Sequence, residues 1–548
     1  MRSASTIRPD SLPPLAPTVC GADVELANFI VGADSVTDRS REAARRVLAH
    51  VIGVAPGRFA AIGHDFGDTG RDAWEQVAAE RTRVWLATNG GCIYIDMDHV
   101  ELCLPEVSSA FDHVAAWHAM IRIARDAAER ASEGLPDGEF VELVANNSDG
   151  QSSSYGGHLD FLVRRRTWDE ISRRAGSLLF LASHHASSIV YTGAGKVGAE
   201  NGRPRVTYQL SQRADYMESL FGYQTTEARP LVNTRDEPLC GYRLDSRNPD
   251  SLARMHVIHC DTGLCHGAQV LRVGVEQIVL AMLGAEHVDR SLLLEDPVDA
   301  IVAWSHDIKL GRRATLVSGE EVTAVELQRR YFDVAVEAHA RGAFPEIPRV
   351  DEILSLWDDT LSKLAGGDLA ALAPRLDWVL KLDAIRSLPA MRDREERAEA
   401  AKHADLQYAA VDPDRGLYWA YEDAGLVELH ASDEAIARSV VEPPADTRAF
   451  ARALVLRTFG DEVRDVNWDY VRIRPADGGP DFELALDDPR DPAFSRPLER
   501  DATPAEEAST ETNFQDRSLQ KPTTRPEEPQ WNNVNDRFPK SRRPLSPP

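Results

Sequence analysis

Cysteine is scarce in this chain, with six among 548 residues. Cys20, Cys92, Cys103, Cys240, Cys260 and Cys265 form no disulfide framework, and no charged-then-apolar leader precedes them, so a reducing cytoplasm is the expected compartment. No apolar run is long enough to span a bilayer, so no membrane association is expected. Positive charge is also short: 62 Lys and Arg against 88 Asp and Glu leave a net charge of −26. The averaged field of such a surface repels phosphates, which argues against nucleic acid as a partner. The usual phosphate-binding glycine patterns are missing too. "GAGKVG" at 193–198 lacks the GK[ST] ending and reads as a hairpin turn. "ANNSDGQSSSYGGHLDF" at 145–161, which carries His158, has neither Walker nor dinucleotide spacing and reads as a polar turn.

What is present is a globular chain, 43% hydrophobic and long enough for one large or two ordinary domains. Helical patterns such as "SREAARRVLAHVIG", "AFDHVAAWHAMIRIARDAAERA" and "LRVGVEQIVLAMLGA" alternate with strand-like runs such as "TVCGADVELANF", "EFVELVANN" and "RVTYQLSQ". Strands that follow one another directly as well as across helices predict an α+β fold. Residues 1–18 read as a loose leader, 19–400 as the main domain and 401–475 as a small C-terminal domain. Residues 476–548, rich in Pro, Asp, Glu and Arg, read as a disordered tail. The stretch 320–472 is mostly helical by pattern, except for the terminal "VNWDYVRIR".

The chemical signal lies in "NGGCIYIDMDHVELCLPE", residues 89–106. Strand alternation puts Cys92, Tyr94, Asp96 and Asp98 on one face and Ile93, Ile95 and Met97 on the other. The same parity in "CGADVELAN" pairs Asp23 with Glu25, opposite Ala22, Val24 and Leu26. In one sheet, four carboxylates would converge, and their repulsion calls for a cation; hard oxygen donors on a rigid sheet suit Mg²⁺ shared with substrate phosphates. His99 and Glu101 have the opposite parity and join only if the strand bulges or ends near Asp98. A sheet with one solvated face shows the same alternation, and for two strands alone that ordinary reading stands. Glu101 and Glu106 weigh against it, because so many like charges side by side destabilise an exposed sheet.

Arg213 in "QLSQRADY" and Arg235 in "NTRDEP" offer forks suited to phosphate, or else structural pairs such as Arg235 with Asp236 or Glu237. His256, His259 and His266 in "HVIHCDTGLCHG" lack zinc-knuckle spacing, so no zinc site is expected there.

In their shared order these segments resemble the proteasome accessory factor A family, the Pup ligase and its relative the depupylase that also deamidates Pup. The first strand carries Gly21, Asp23 and Glu25; the second signature is matched by Asn89, Gly90, Tyr94, Asp96, His99, Glu101 and Glu106. Asn146, Asn147, Asp149, Gly150, Ser154, Tyr155, Gly156 and His158 follow, then the Arg213, Arg235 and His256 segments and Trp468 in "NWD". The resemblance spans roughly 19–472. It implies a glutamine-synthetase-like fold, in which a curved antiparallel sheet backed by helices cradles ATP and Mg²⁺. It also implies roles: Asp23, Tyr94 and Glu101 at Mg²⁺ with Glu25 and His256 nearby; Trp468, Arg213, Arg235 and position 92 at the nucleotide; Asp96 as catalytic aspartate. Cys92 replaces the family's arginine, Asp23 its first glutamate, and Leu239 the histidine after R-D-E-P.

The Asp96–His99 gap, Asp149-Gly150 and Thr225-Thr226 resemble the depupylase branch. The expected activity is therefore amidohydrolysis on a small Pup-like modifier or its conjugates, within a bacterial proteasome system. A Pup-type ligase and a non-catalytic modifier-binding homologue are the alternatives.

Overall fold

The computed structural model describes residues 18–32, 39–54, 83–150, 153–237, 239–240, 251–344, 346–390 and 393–493. Its centre is a seven-stranded sheet of β1 (Cys20–Val31), β2 (Val84–Trp85), β3 (Cys92–Asp96), β4 (His99–Cys103), β5 (Phe140–Val144), β6 (Gly157–Arg164) and β9 (Leu252–Val257). The order is β2-β3-β4-β1-β6-β9, with β5 also on β1, and every pairing is antiparallel. A separate parallel pair joins β7 (Met217–Gly222) and β8 (Arg229–Asn233).

β1 alternates as its sequence dictates: Ala22, Val24 and Leu26 are buried, while Asp23 and Glu25 keep some exposure. Helix Ser40–His50 brings Ala43, Ala44, Val47 and Leu48 to the strands β1, β3 and β4. The helix His266–Gly284 is long and apolar enough to cross a membrane, but it is 94% buried inside the protein and reads as a core helix. The helices predicted at 40–53, 110–131 and 271–285 form as Ser40–His50, Ala110–Ser132 and His266–Gly284, and 320–472 is largely helical.

Three expectations change. "RVTYQLSQ" is not a strand. Gln209 makes one bridge to Lys196, and beyond it the backbone N–H groups of Ser211 and Gln212 go to the side chains of Ser305 and Asp261. The "GAGKVG" segment is correspondingly the other half of that bridge, following the helix Ala175–Thr192.

Regular structure continues past 476. Phe482–Ala485 is the third strand of a sheet with Val463–Val466 and Tyr470–Ile473, because Leu484 and Leu486 are apolar enough to pack on the core. The described residues 18–493 fall within one compact unit, and residues 1–17 and 494–548 lie outside the described residues. No break marks the expected boundary at 400: the helix Arg394–Tyr408 runs through it, with Asp405 and Tyr408 buried.

This C-terminal layer, helix Arg448–Phe459 with the three-stranded sheet, packs Val455, Leu456, Val471 and Ile473 against Trp85, Cys92, Tyr94 and Cys103. A buried ion cluster fastens it. Arg448 Nε donates to Glu106 Oε1 at 2.7 Å, and Arg452 donates to the other carboxylate oxygen. Burial raises the Glu106 pKa, but Arg452 and Arg448 more than offset it and hold the group at about 2. Its stabilisation is therefore present above the ordinary carboxylate range and lost as pH falls towards 2. Removing the charge strands two buried guanidiniums, so Glu106→Gln is expected to lower the unfolding free energy by about 3 kcal/mol in denaturant titration. A change below about 1 kcal/mol would mean the cluster does not fasten the layer.

Candidate active site

The chain leaves β3 at Asp96 and reverses in two residues, Met97 and Asp98, so that β4 pairs Asp96 with His99 and Tyr94 with Glu101. The strand thus ends where the parity argument required. The reversal restores His99 and Glu101 to the face of Tyr94 and Asp96, while Asp98 leaves that face. Asp98 lies in the turn, paired with Arg41 at 2.5 Å, which corrects its predicted place among the converging acids. β4 also pairs with β1, Glu101 opposite Glu25 and Cys103 opposite Asp23. Cross-strand partners share a face, so Tyr94, Glu101 and Glu25 form one row and Cys92, Cys103 and Asp23 the next.

The acids converge, with Glu101 in place of Asp98. Burial, then the charges of Glu25, Asp23 and Asp96, push the Glu101 pKa well above its ordinary value. Its Oε2 is buried without a hydrogen-bond partner. Burial and then Asp160 raise Asp23 to about 7. Oxygens of Asp23 and Glu101 and the sulfur of Cys103 lie within 4.8 Å of one another, the group of metal-compatible donors found among the described residues. An orphaned buried carboxylate oxygen among mutually repelling acids fits a divalent cation.

Around this face stand residues to which the sequence reading gave no role. Gly156 N donates to Glu25 Oε1 at 2.8 Å, and a Cβ on Gly156 would come within 2.7 Å of that oxygen, so the loop can close on Glu25 only with glycine there. Tyr155 stacks on His99 with centroids 4.4 Å apart, and His99 Nδ1 lies 3.1 Å from Glu25. The stretch read as a polar turn therefore seats the acidic row. Arg83 lies over the Tyr94 ring at 4.6 Å, bringing from just before β2 a cation to the end of the face where Cys92 offers none.

The other expected residues are placed as follows. Trp468 contacts Trp85 edge to face at 5.0 Å and lines a solvent-open pocket with Gly21, Asp23, Asp160, Leu239 and Arg254. Arg254 is 3.4 Å from Asp160, a cation beside this pocket that the sequence reading missed. His256 is held by Asp160 at 2.8 Å on β9, beyond β1 and β6 from the Glu101 row, so the fold does not bring it into the Asp23–Glu101–Cys103 group. Arg213 is buried and donates to the carbonyls of Ile258, at 2.8 Å, and Tyr155. Arg235 donates to Thr225 Oγ1 at 3.2 Å and lies over Tyr223. The Arg235–Asp236 alternative does not form, because Asp236 pairs with Arg165. Cys92 is fully buried beneath the C-terminal layer. The histidines at 256, 259 and 266 make no metal cluster among the described residues.

The folded chain retains the Asp23 proton up to about pH 7, whereas the unfolded chain releases it near pH ~4. Stability in chelator is thus expected to fall as pH rises through this window. Asp23→Asn should flatten that slope in melting experiments at about pH 5 and about pH 7; an unchanged slope would clear Asp23 of the strain.

The family described as "Pup-ligase protein" matches residues 36–472. A depupylase of Acidothermus cellulolyticus is 36% identical over 390 residues, 70% of this chain and 74% of that one. A Pup–protein ligase of Acidimicrobium ferrooxidans is 35% identical over 395 residues, 70% of this chain and 82% of the relative. A Pup deamidase/depupylase of Mycolicibacterium smegmatis is 35% identical over 391 residues, 70% and 74% of the two chains. Among solved structures, the ligase PafA in complex with the ubiquitin-like protein Pup aligns with a TM-score of 0.70 at 25% identity, covering 88% of this chain and 91% of the other. PafA in complex with ADP aligns at 0.65 and 26%, covering 79% and 94%. The fold is the glutamine-synthetase-like one that the resemblance implied, and the chain belongs to the Pup-ligase protein family.

Proposed function

We propose that this chain is an amidohydrolase of the depupylase type, acting in the cytoplasm on the isopeptide bond between the C-terminal glutamate side chain of a Pup-like modifier and a target lysine, or on a C-terminal glutamine amide. The observation that carries the reading is the row Tyr94–Glu101–Glu25 with Asp96 at its margin, beside the pocket of Trp468 and Arg254. Relatives named as depupylases, together with the Asp96–His99 spacing, Asp149-Gly150 and Thr225-Thr226, favour hydrolysis over ligation.

The donors fit a nucleotide with its cation. Trp468 and Arg254 would border the nucleotide, and Asp23, Glu25, Tyr94 and Glu101 would hold Mg²⁺, with His256 oriented by Asp160 at the periphery. When bound with the nucleotide, the Mg²⁺ ion would supply the positive charge that polarises the scissile carbonyl. Asp96 acts as base taking a proton from the attacking water, or as nucleophile forming an acyl anhydride that water then hydrolyses to regenerate Asp96. The C–N bond breaks, the lysine amine or ammonia leaves with a proton, and a glutamate carboxylate remains. The Glu25–His99 contact and the Tyr155 stack hold the histidine opposite Asp96 in place.

Ligation is the second reading, favoured by the ligase relative and by the PafA alignments. Incubation with a modifier ending in Gln, ATP and Mg²⁺ separates the two. Mass-spectrometric loss of the amide is expected, whereas ADP release matched by conjugate formation would establish the ligase instead. Asp96→Asn is expected to lower turnover by about 10²–10⁴-fold while melting at or above the parent temperature without metal, since it relieves repulsion on Glu101. A well-folded variant keeping most of the parent rate would refute the role of Asp96.

A further inference from the structure

A second collection of acids lies away from the catalytic row. Along the outer edge of β5 a groove opens between the helix Ala110–Ser132 and the turn at 411–415. Five carboxylates line it against the guanidiniums of Arg125 and Arg415. Both cations are already engaged. Arg415 Nε donates to Glu142 Oε2 at 2.8 Å, its Nη2 lies 2.8 Å from Asp412, and the group sits over the Phe140 ring at 4.1 Å. Arg125 is 3.5 Å from Asp126. Glu129 and Asp414, both exposed, have no ion-pair partner among the described residues. We propose that this groove binds the arginine or lysine side chains of a basic segment in the protein to which the modifier is joined. The identity of that protein rests on the hydrolase reading, whereas the chemistry rests on the groove alone.

Glu142 carries the inference. It lines the groove at 7% exposure, and its Oε1 has no hydrogen-bond partner, which leaves an open acceptor on a buried carboxylate. Burial raises its pKa although Arg415 opposes the shift, so a second cation at Oε1 would offset the cost of keeping the charge there. None of the groove acids belongs to a metal-compatible group among the described residues, so they suit a cation carried on a long side chain better than an ion held at one point. The position also fits. Glu142 stands opposite Phe29 on β1, an exposed aromatic with the parity of Glu25. The four residues between Phe29 and Glu25 span roughly 13 Å of strand, so an extended segment leaving the groove reaches the acidic row within about four residues.

The test uses the full chain and a short fluorescent peptide with one lysine and two arginines, beside a twin in which citrulline replaces both arginines. Anisotropy titrations are expected to show saturable binding of the arginine peptide and about tenfold weaker binding of the twin, because citrulline keeps the shape and loses the charge. Glu142→Gln should weaken the arginine peptide about tenfold as well. Should that variant fail to fold, the exposed pair Glu129→Gln with Asp414→Asn serves, with a loss of about threefold expected. Asp333→Asn, an exposed acid on the helix Ala324–Ala340, should bind as the parent does. With the modifier joined to the lysine of each peptide, the arginine conjugate should show a KM about tenfold lower at similar kcat. Equal affinity for the two peptides, parent-like binding by the folded variants, or equal KM for the two conjugates would each overturn the proposal. Peptide binding without cleavage of either conjugate would sink the hydrolase reading and keep the groove; cleavage of both without peptide binding would do the reverse.

Discussion

The reversal at Met97 and Asp98 sets everything else on the acidic face. Because side chains alternate with a period of two, the length of this turn decides whether Glu101 and His99 point at Asp96 or away from it. Two residues put them together. Met97 accepts a left-handed conformation, φ 49°, which a non-glycine residue adopts at some cost. The neighbouring strand supplies the restraint: the buried Asn28 donates to Asp98 O at 2.9 Å and accepts from Val100 N at 2.8 Å. That one amide fixes turn and register together, and the rows Tyr94–Glu101–Glu25 and Cys92–Cys103–Asp23 follow from it.

Concentrating carboxylates on a sheet face costs stability, and the fold offsets it with guanidiniums drawn from distant segments. Arg254 faces Asp160 from β9, Arg83 covers Tyr94 from beside β2, and Arg448 and Arg452 neutralise Glu106 from more than 340 positions away. The last pair also ties the C-terminal layer to the sheet, so covering the thiols and compensating Glu106 are one structural act. Glu101 and Asp23 are left with raised pKa values by burial and by the acids around them, which is what gathering these carboxylates costs.

Much of this was legible in the chain. The alternation of β1 placed Asp23 and Glu25 correctly, and the short β3 placed Tyr94 and Asp96 beside each other, because parity is a local property. Asp98 was assigned to the same face because parity presumes an unbroken strand, and only the turn shows that it breaks. "RVTYQLSQ" had strand-like composition, but the side chains of Asp261 and Ser305 claim its backbone. The tail reading at 476 failed for a similar reason: Phe482, Leu484 and Leu486 are too few to register as a pattern, yet they find a ready surface on Tyr470–Ile473 and the helix before it.

The sequence by itself determined the family, the α+β class and the identity of the acidic residues, since short-range alternation and motif order survive without coordinates of any kind. The tertiary structure alone decided which acids meet, that Arg213 and Arg235 bind internal groups while Arg83 and Arg254 reach the acidic face, and that Cys92 and Cys103 lie side by side with Asp23. The physical reason is that charge compensation and metal-compatible geometry depend on distance through space, and residues ten to several hundred positions apart become neighbours only when sheet register and the C-terminal layer bring them together.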